Sequence, residues 1–132
     1  MARKNFSEKR EAIYSLIKNT NIHPSAEWVY NQLKDKYPNL SLGTVYRNMA
    51  MFVDQGLIVS IGTVNGRDRF DANTAPHAHF ICEECEAVID LDYLPYNREL
   101  DESVALNTGY TVDKHTIYFR GKCRKCSDKN FS

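Results

Sequence analysis

The chain has 132 residues, enough for one domain or two small ones whose core needs no disulfide. Its 17 Lys and Arg balance 17 Asp and Glu, and hydrophobic residues make up 42%. That balance excludes a globally basic nucleic-acid coat, a supercharged tail and a disordered acidic segment.

The first half reads as three helices and a hairpin. Ser7 is the expected N-cap of the first helix, with Glu8 in its first turn. Ile13, Leu16 and Ile17, with Phe6 upstream, recur at helical spacing until Asn19-Thr20-Asn21. Ser25 caps a second helix with Trp28, Val29 and Leu33 on its apolar face, ending before Tyr37-Pro38. Ser41 caps a third, with Leu42, Val45, Met49, Phe52 and Val53 on one side and Thr44, Arg47 and Asn48 largely on the other. Gly56 is its natural C′ residue. Leu57–Ile61 and Arg67–Asp71, joined through Asn65-Gly66, form a β-hairpin. This is the order of a winged helix-turn-helix over residues 1–71, with its third helix in the major groove and Arg67 and Arg69 riding on the wing near phosphates.

Residues 72–76 lose periodicity and read as a hinge. Residues 77–132 are expected to be α+β: strands at His77–Ile81 and Ala87–Leu91, a helix over about 95–107 followed by Gly109, and a long last strand from Tyr110 to Phe119. A unit of roughly 60 residues is small enough to need a metal or a dimer partner.

No apolar run approaches the ~20 residues that span a membrane. The charged N-terminus does not read as a signal peptide, so a cytoplasmic protein is expected. In that reducing compartment the four cysteines read as ligands or catalysts rather than disulfides. Cys82-Glu-Glu-Cys85 and Cys123-Arg-Lys-Cys126 supply the four thiolates of a tetrahedral structural zinc, against two surface dithiols or an iron–sulfur cluster. His77 and His79, one residue apart on a strand, share a face. Asp71 and Asp90 flank them, a donor set suited to Fe(II), Mn(II) or zinc. His23 alone is a loop histidine. If it reached the His77/His79 metal, one ion would clamp both halves and act as an allosteric switch. In Ser41–Asn48, the residues Thr44, Tyr46, Arg47 and Asn48 are available to phosphates and base edges, unless this is an ordinary surface helix. The charges are also split. Residues 1–71 hold ten basic and seven acidic residues, net +3, and residues 72–132 seven and ten, net −3. Any polyanion therefore belongs to the first half.

His23-Pro-Ser-Ala, Leu42-Gly-Thr-Val-Tyr-Arg-Asn48, Arg69-Phe-Asp71, His77-Ala-His79-Phe-Ile-Cys82-Glu-Glu-Cys85, Val88-Ile-Asp90 and Cys123-Arg-Lys-Cys126 run in one order along nearly the whole chain. Together they resemble the ferric uptake regulator (Fur) superfamily. The resemblance implies a homodimeric, metal-dependent repressor of a palindromic DNA operator, and not an enzyme. It implies a winged helix followed by a dimerisation domain, and a structural zinc on Cys82, Cys85, Cys123 and Cys126. It also implies a regulatory Fe(II) or Mn(II) site of His23, Asp71, His77, His79 and Asp90. The DNA contacts expected with it are Ser41, Thr44, Tyr46, Arg47, Asn48, Arg67 and Arg69.

Aspartate at positions 71 and 90 is most similar to the peroxide-sensing PerR branch, where iron-sensing members typically carry glutamate. The implied chemistry is Fe(II)-catalysed oxidation of His23 or His77, which releases the ion and the DNA. An iron- or zinc-availability sensor is the nearest alternative. A non-haem iron oxygenase lacks a cosubstrate motif and a roomy pocket, and a zinc-stabilised interaction module does not account for all five ligand positions. No membrane and no small molecule beyond metal and peroxide is expected as a partner. Two departures stand out. Only five residues precede Phe6, where the family usually has a further helix that often touches DNA. Pro76 and Ala78 occupy ligand positions of the family's extra metal site, which leaves His115 structural or at a dimer interface.

Overall fold

A computed structural model describes the backbone of residues 2–129 and the side chains of residues 8–127. It is an α+β chain of two compact units, one running to Thr74 and the other starting at Ala75.

The first unit holds α1 (Ala2–Lys18), α2 (Ala26–Leu33) and α3 (Leu42–Asp54), then β1 (Val59–Val64) and β2 (Arg67–Asp71). Helix α1 begins well before the expected cap, so Ser7 lies inside it. Nothing between Ala2 and Ser7 breaks a helix: the stretch has neither glycine nor proline. The side chains of Phe6 and Ser7 fall outside the described ones. The caps of the next two helices are as expected. Ser25 Oγ accepts from the Trp28 amide and Ser41 Oγ from the Thr44 amide, each 3.1 Å. Gly56, at φ +75°, follows α3 in the left-handed conformation that lets the chain turn into the hairpin. Asn65 and Gly66 both have positive φ, the conformation of a tight two-residue hairpin turn.

Apolar spacing then builds the core. Ile13 and Ile17 of α1, Ala26 and Val29 of α2, and Val45, Met49 and Phe52 of α3 are buried together with Leu40, Ile58 and Phe70. Tyr14 meets Phe52 edge-on at 5.4 Å. The antiparallel β1–β2 ladder carries a bulge at Ser60–Gly62.

The second unit is a three-stranded sheet ordered β4-β3-β5, from β3 (Ala78–Cys82), β4 (Val88–Leu91) and β5 (Tyr118–Gly121), with α4 (Arg98–Thr108) and α5 (Arg124–Lys129). Strand β3 runs antiparallel to β4 and parallel to β5. Helix α4 starts after Asn97, whose side chain accepts from the Glu99 amide, and stops at Gly109, φ +75°. The long last strand is not found. Only Tyr118–Gly121 pairs, because β3 is five residues long and its register with β5 opens at His79 opposite Tyr118. None of the α4 side chains is buried, and Leu106 is 86% exposed. Among the described residues no helix is long and apolar enough to cross a membrane.

Trp28 is the sole tryptophan and packs against the first unit's core, so its fluorescence follows that unit. Met49→Ala, at a 1% exposed position, is expected to lower the stability read by Trp28 in urea by about 2–5 kcal/mol. An unchanged midpoint would show that Met49 is not a core residue.

Candidate metal centres

The β3–β4 turn and the end of β5 assemble the four cysteines. Glu86, with φ +66°, donates its amide to the Cys82 carbonyl at 3.0 Å, and the Cys82 amide closes onto the Ala87 carbonyl at 2.9 Å. This turn brings Cys85 back beside Cys82. The parallel ladder sets Gly121 opposite Cys82, which delivers Cys123 and, one turn of α5 later, Cys126. The four sulfurs lie within 4.8 Å of one another. Cys82 and Cys126 are 3.7 Å apart and Cys85 and Cys123 3.8 Å, far beyond a disulfide bond.

The charge in this cluster is uneven. The amides of Cys85 and Cys123 both point at Cys82 Sγ at 3.4 Å and hold its thiol down to about 6. Burial and the neighbouring thiols push Cys126 up instead. Four converging sulfurs of which one is readily a thiolate fit a soft divalent cation, whose charge would draw protons off the others.

A second donor set lies on the other end of β3. His77 and His79 project from one face, as their spacing requires, and their rings are 4.3 Å apart. Asp90 of β4 pairs with His79 in the ladder. Its Oδ1 sits 2.8 Å from His77 Nε2 and 3.2 Å from His79 Nε2. His77 Nδ1 is 2.7 Å from the Ala75 carbonyl. A carbonyl can only accept, so Nδ1 carries a proton, and Nε2 is the ring atom that faces the carboxylate. A proton on Nε2 joins the two atoms when no ion is bound, and a cation can take that proton's place. Two imidazole nitrogens and one carboxylate therefore fit a borderline divalent ion, with Ala75 orienting one ligand.

The first unit contributes a third pair. His23 is 3% exposed in the loop between α1 and α2, and its Nε2 lies 3.2 Å from Asp71 Oδ2 at the end of β2. Arg69 differs from its expected place on a phosphate-facing wing. Its guanidinium turns inward to the carbonyls of His23, through Nε, and of Ile22, at 2.6 Å through Nη2.

On α3 the exposed face carries a hydrogen-bonded row: Ser41 Oγ meets Thr44 Oγ1 at 2.9 Å, and Arg47 Nη2 donates to the same Thr44 oxygen at 3.1 Å. Tyr46 is 43% exposed and donates to Glu27 of α2 at 2.8 Å. That hydrogen bond, then burial, raises its phenol above the ordinary value. Arg67 lies 4.0 Å from the same carboxylate. Asn48 does not share the exposed face: it is 5% exposed, its Nδ2 donates to the Thr44 carbonyl at 2.9 Å and its Oδ1 accepts from Arg10 at 3.4 Å. One position past Arg47, the helix has already rotated the side chain toward α1. Glu27 was not legible as a member of this face, since an acid in a helix's first turn is common whatever lies opposite.

His115 has partners of its own. Its Nδ1 is 2.6 Å from Asp101 Oδ1, and its ring stacks on Tyr96 at 4.4 Å. Tyr96 also donates to Asp101, which with His115 holds that carboxyl below its ordinary value. These contacts across α4 have no signature in sequence spacing.

The profile of the Ferric uptake regulator family matches residues 3–120. The chain is 36% identical to the peroxide operon regulator of Bacillus subtilis over 121 residues, 92% of this chain and 83% of the relative. It is 33% identical to the peroxide-responsive repressor PerR of Staphylococcus aureus over 121 residues, 92% of this chain and 81% of the relative. Among solved structures it resembles the peroxide stress regulator of Campylobacter jejuni, with 27% identity and a TM-score of 0.75 over 95% of this chain and 93% of the other.

The Cys82 thiol carries a pH signature in metal-free, reduced protein. Its folded value of about 6 lies below the ~8.5 of an unfolded cysteine. It therefore contributes stability at pH above ~8.5, and that contribution is lost as pH falls through 6. The gap in urea midpoint between the wild type and Cys82→Ser is expected to shrink from pH 9 to pH 5. A gap independent of pH would rule out the two-amide stabilisation of the thiolate.

Proposed function

The chain belongs to the ferric uptake regulator family, and from that premise we propose that it is a metal-dependent DNA-binding repressor that senses peroxide. In this reading Cys82, Cys85, Cys123 and Cys126 hold a structural zinc. His23, Asp71, His77, His79 and Asp90 serve one regulatory Fe(II) or Mn(II). The first unit acts as a winged helix and, in a homodimer, sets α3 in the major groove of a palindromic operator. Ser41, Thr44, Tyr46 and Arg47 reach phosphates and base edges there, and Arg67 reaches a phosphate from the hairpin. Asn48 serves the interior of the unit, and Arg69 the loop at His23.

The observation that carries the peroxide reading is the contact of each candidate carboxylate with an imidazole. These are 3.2 Å at His23–Asp71 and 2.8 Å at His77–Asp90. Aspartate is short, so an ion held by these oxygens lies against the rings. Iron, when bound, would supply the redox chemistry that splits the O–O bond of peroxide, with both electrons coming in the end from an imidazole ring. The rings beside these carboxylates, His23, His77 and His79, are the oxidisable groups at hand, and of these the family resemblance points to His23 and His77. Insertion of one oxygen atom into either, with water as the other product, weakens it as a ligand. The Ala75 carbonyl keeps His77 Nε2 the ligating atom until that happens. The identity with two peroxide regulators supports the same reading.

The neutral chain makes the switch plausible on electrostatic grounds. At zero net charge, non-specific attraction to phosphates is weak, so DNA affinity follows the metal-set arrangement. Mass spectrometry after peroxide treatment is expected to show one added oxygen on the peptide carrying His23 or His77 in the Fe(II) form and not in the Mn(II) form. If neither form gains oxygen, the protein is an iron- or zinc-availability sensor. His77→Ala is expected to abolish metal-activated operator binding with zinc content intact. Arg47→Ala should weaken operator binding, by roughly 1–3 kcal/mol for a lost base contact, with Mn(II) affinity unchanged. Loss of zinc in the first variant, or of Mn(II) affinity in the second, would contradict those roles.

A further inference from the structure

His23 is held in a conformation its own sequence disfavours. Its φ is +58°, in the left-handed region that non-glycine residues avoid. The next residue is Pro24, which pushes its predecessor toward extended backbone. Left to local preference, Ile22-His23-Pro24 would not aim the imidazole at Asp71.

Strand β2 overrides that preference with three successive residues. Arg69 donates through Nε to the His23 carbonyl and through Nη2 to the Ile22 carbonyl at 2.6 Å. Phe70 donates its amide to the Pro24 carbonyl at 3.0 Å. Asp71 then meets His23 Nε2 at 3.2 Å. The Phe70 bond is backbone and would survive most substitutions. The two bonds to the carbonyls that flank the strained residue come from one planar guanidinium. A fork is suited to gripping two adjacent carbonyls at once, and a lysine ammonium on a flexible stem is not.

We propose that Arg69 is a positioning residue for the regulatory ion: it holds His23 in the left-handed conformation that presents Nε2 beside Asp71, and it ties that ligand to β2. The inference rests on the reading of His23 as a metal ligand. It gives Arg69 a task distinct from the phosphate contact its place on a wing strand suggests. Because the same strand pairs with β1, a change at His23 reaches the hairpin that carries Arg67 through these bonds.

Mn(II) affinity of the full-length, zinc-loaded protein tests this in a double-mutant cycle of Arg69→Lys and His23→Ala. Arg69→Lys is expected to weaken Mn(II) binding by about tenfold to a hundredfold, the usual range for a group that orients a ligand. Zinc content and the urea midpoint read by Trp28 should stay near wild type. In the His23→Ala background the same substitution should have no further effect, which a merely structural role would not produce. Arg69→Lys that binds Mn(II) as the wild type does, that loses affinity equally in both backgrounds, or that fails to fold overturns the proposal. So does a loss of operator affinity at saturating Mn(II) with Mn(II) binding intact, which would return Arg69 to the phosphates. If His23→Ala alone binds Mn(II) as tightly as the wild type, the ligand reading of His23 fails first and the proposal falls with it.

Discussion

Strand β3 is where the second unit's chemistry is decided. Its five residues are shared between two ladders, antiparallel to β4 and parallel to β5. The first ladder sets His79 opposite Asp90 and so gives both imidazoles one carboxylate oxygen. The second sets Cys82 opposite Gly121 and so brings the terminal cysteine pair to the first one. A one-residue slip on β3 would turn His77 and His79 to the opposite face and carry Cys82 away from its partners. Two donor sets of different chemical softness thus hang on a single register, nitrogen and oxygen at one end of a short strand and sulfur at the other.

Both ends show the same tactic: backbone groups decide which form of a side chain is present. Two amides aimed at Cys82 Sγ favour its thiolate, whereas Cys126, buried among thiols, keeps its proton. The Ala75 carbonyl accepts a hydrogen bond from His77 Nδ1–H and so leaves Nε2 as the atom that faces Asp90. The arrangements at Cys82 and His77 ready a donor atom for a cation, whereas Cys126 would have to lose its proton first. In the first unit the guanidinium of Arg69 serves a related purpose at a backbone that would otherwise relax.

The face of α3 is less simple than a row of contacts waiting for a polyanion. Glu27 holds Tyr46 and sits near Arg67, and the Ser41–Thr44–Arg47 row is internally bonded. A ligand there exchanges existing bonds for new ones, and the net gain is smaller than the count of donors suggests.

Much of this was legible in the chain itself. Apolar spacing located α2 and α3, Ser25 and Ser41 marked their starts, and Asn65-Gly66 marked the hairpin, because caps and tight turns are set by neighbouring residues. The two C-x-x-C pairs and His77-Ala-His79 announced clusters of donor atoms, since local spacing brings those atoms together. What depended on distant partners could not be read in advance. Asn48 turned inward because α1 packs where its side chain points. Arg69 keeps its place on β2 but turns its guanidinium to the carbonyls of Ile22 and His23, a contact made by a loop distant in sequence. Within one chain the last strand is Tyr118–Gly121, the stretch that pairs with β3. His115 found Asp101 and Tyr96 across α4. Short-range geometry is written in residue order, whereas the partner of a polar group is chosen by whichever buried donor or acceptor the folded chain sets beside it.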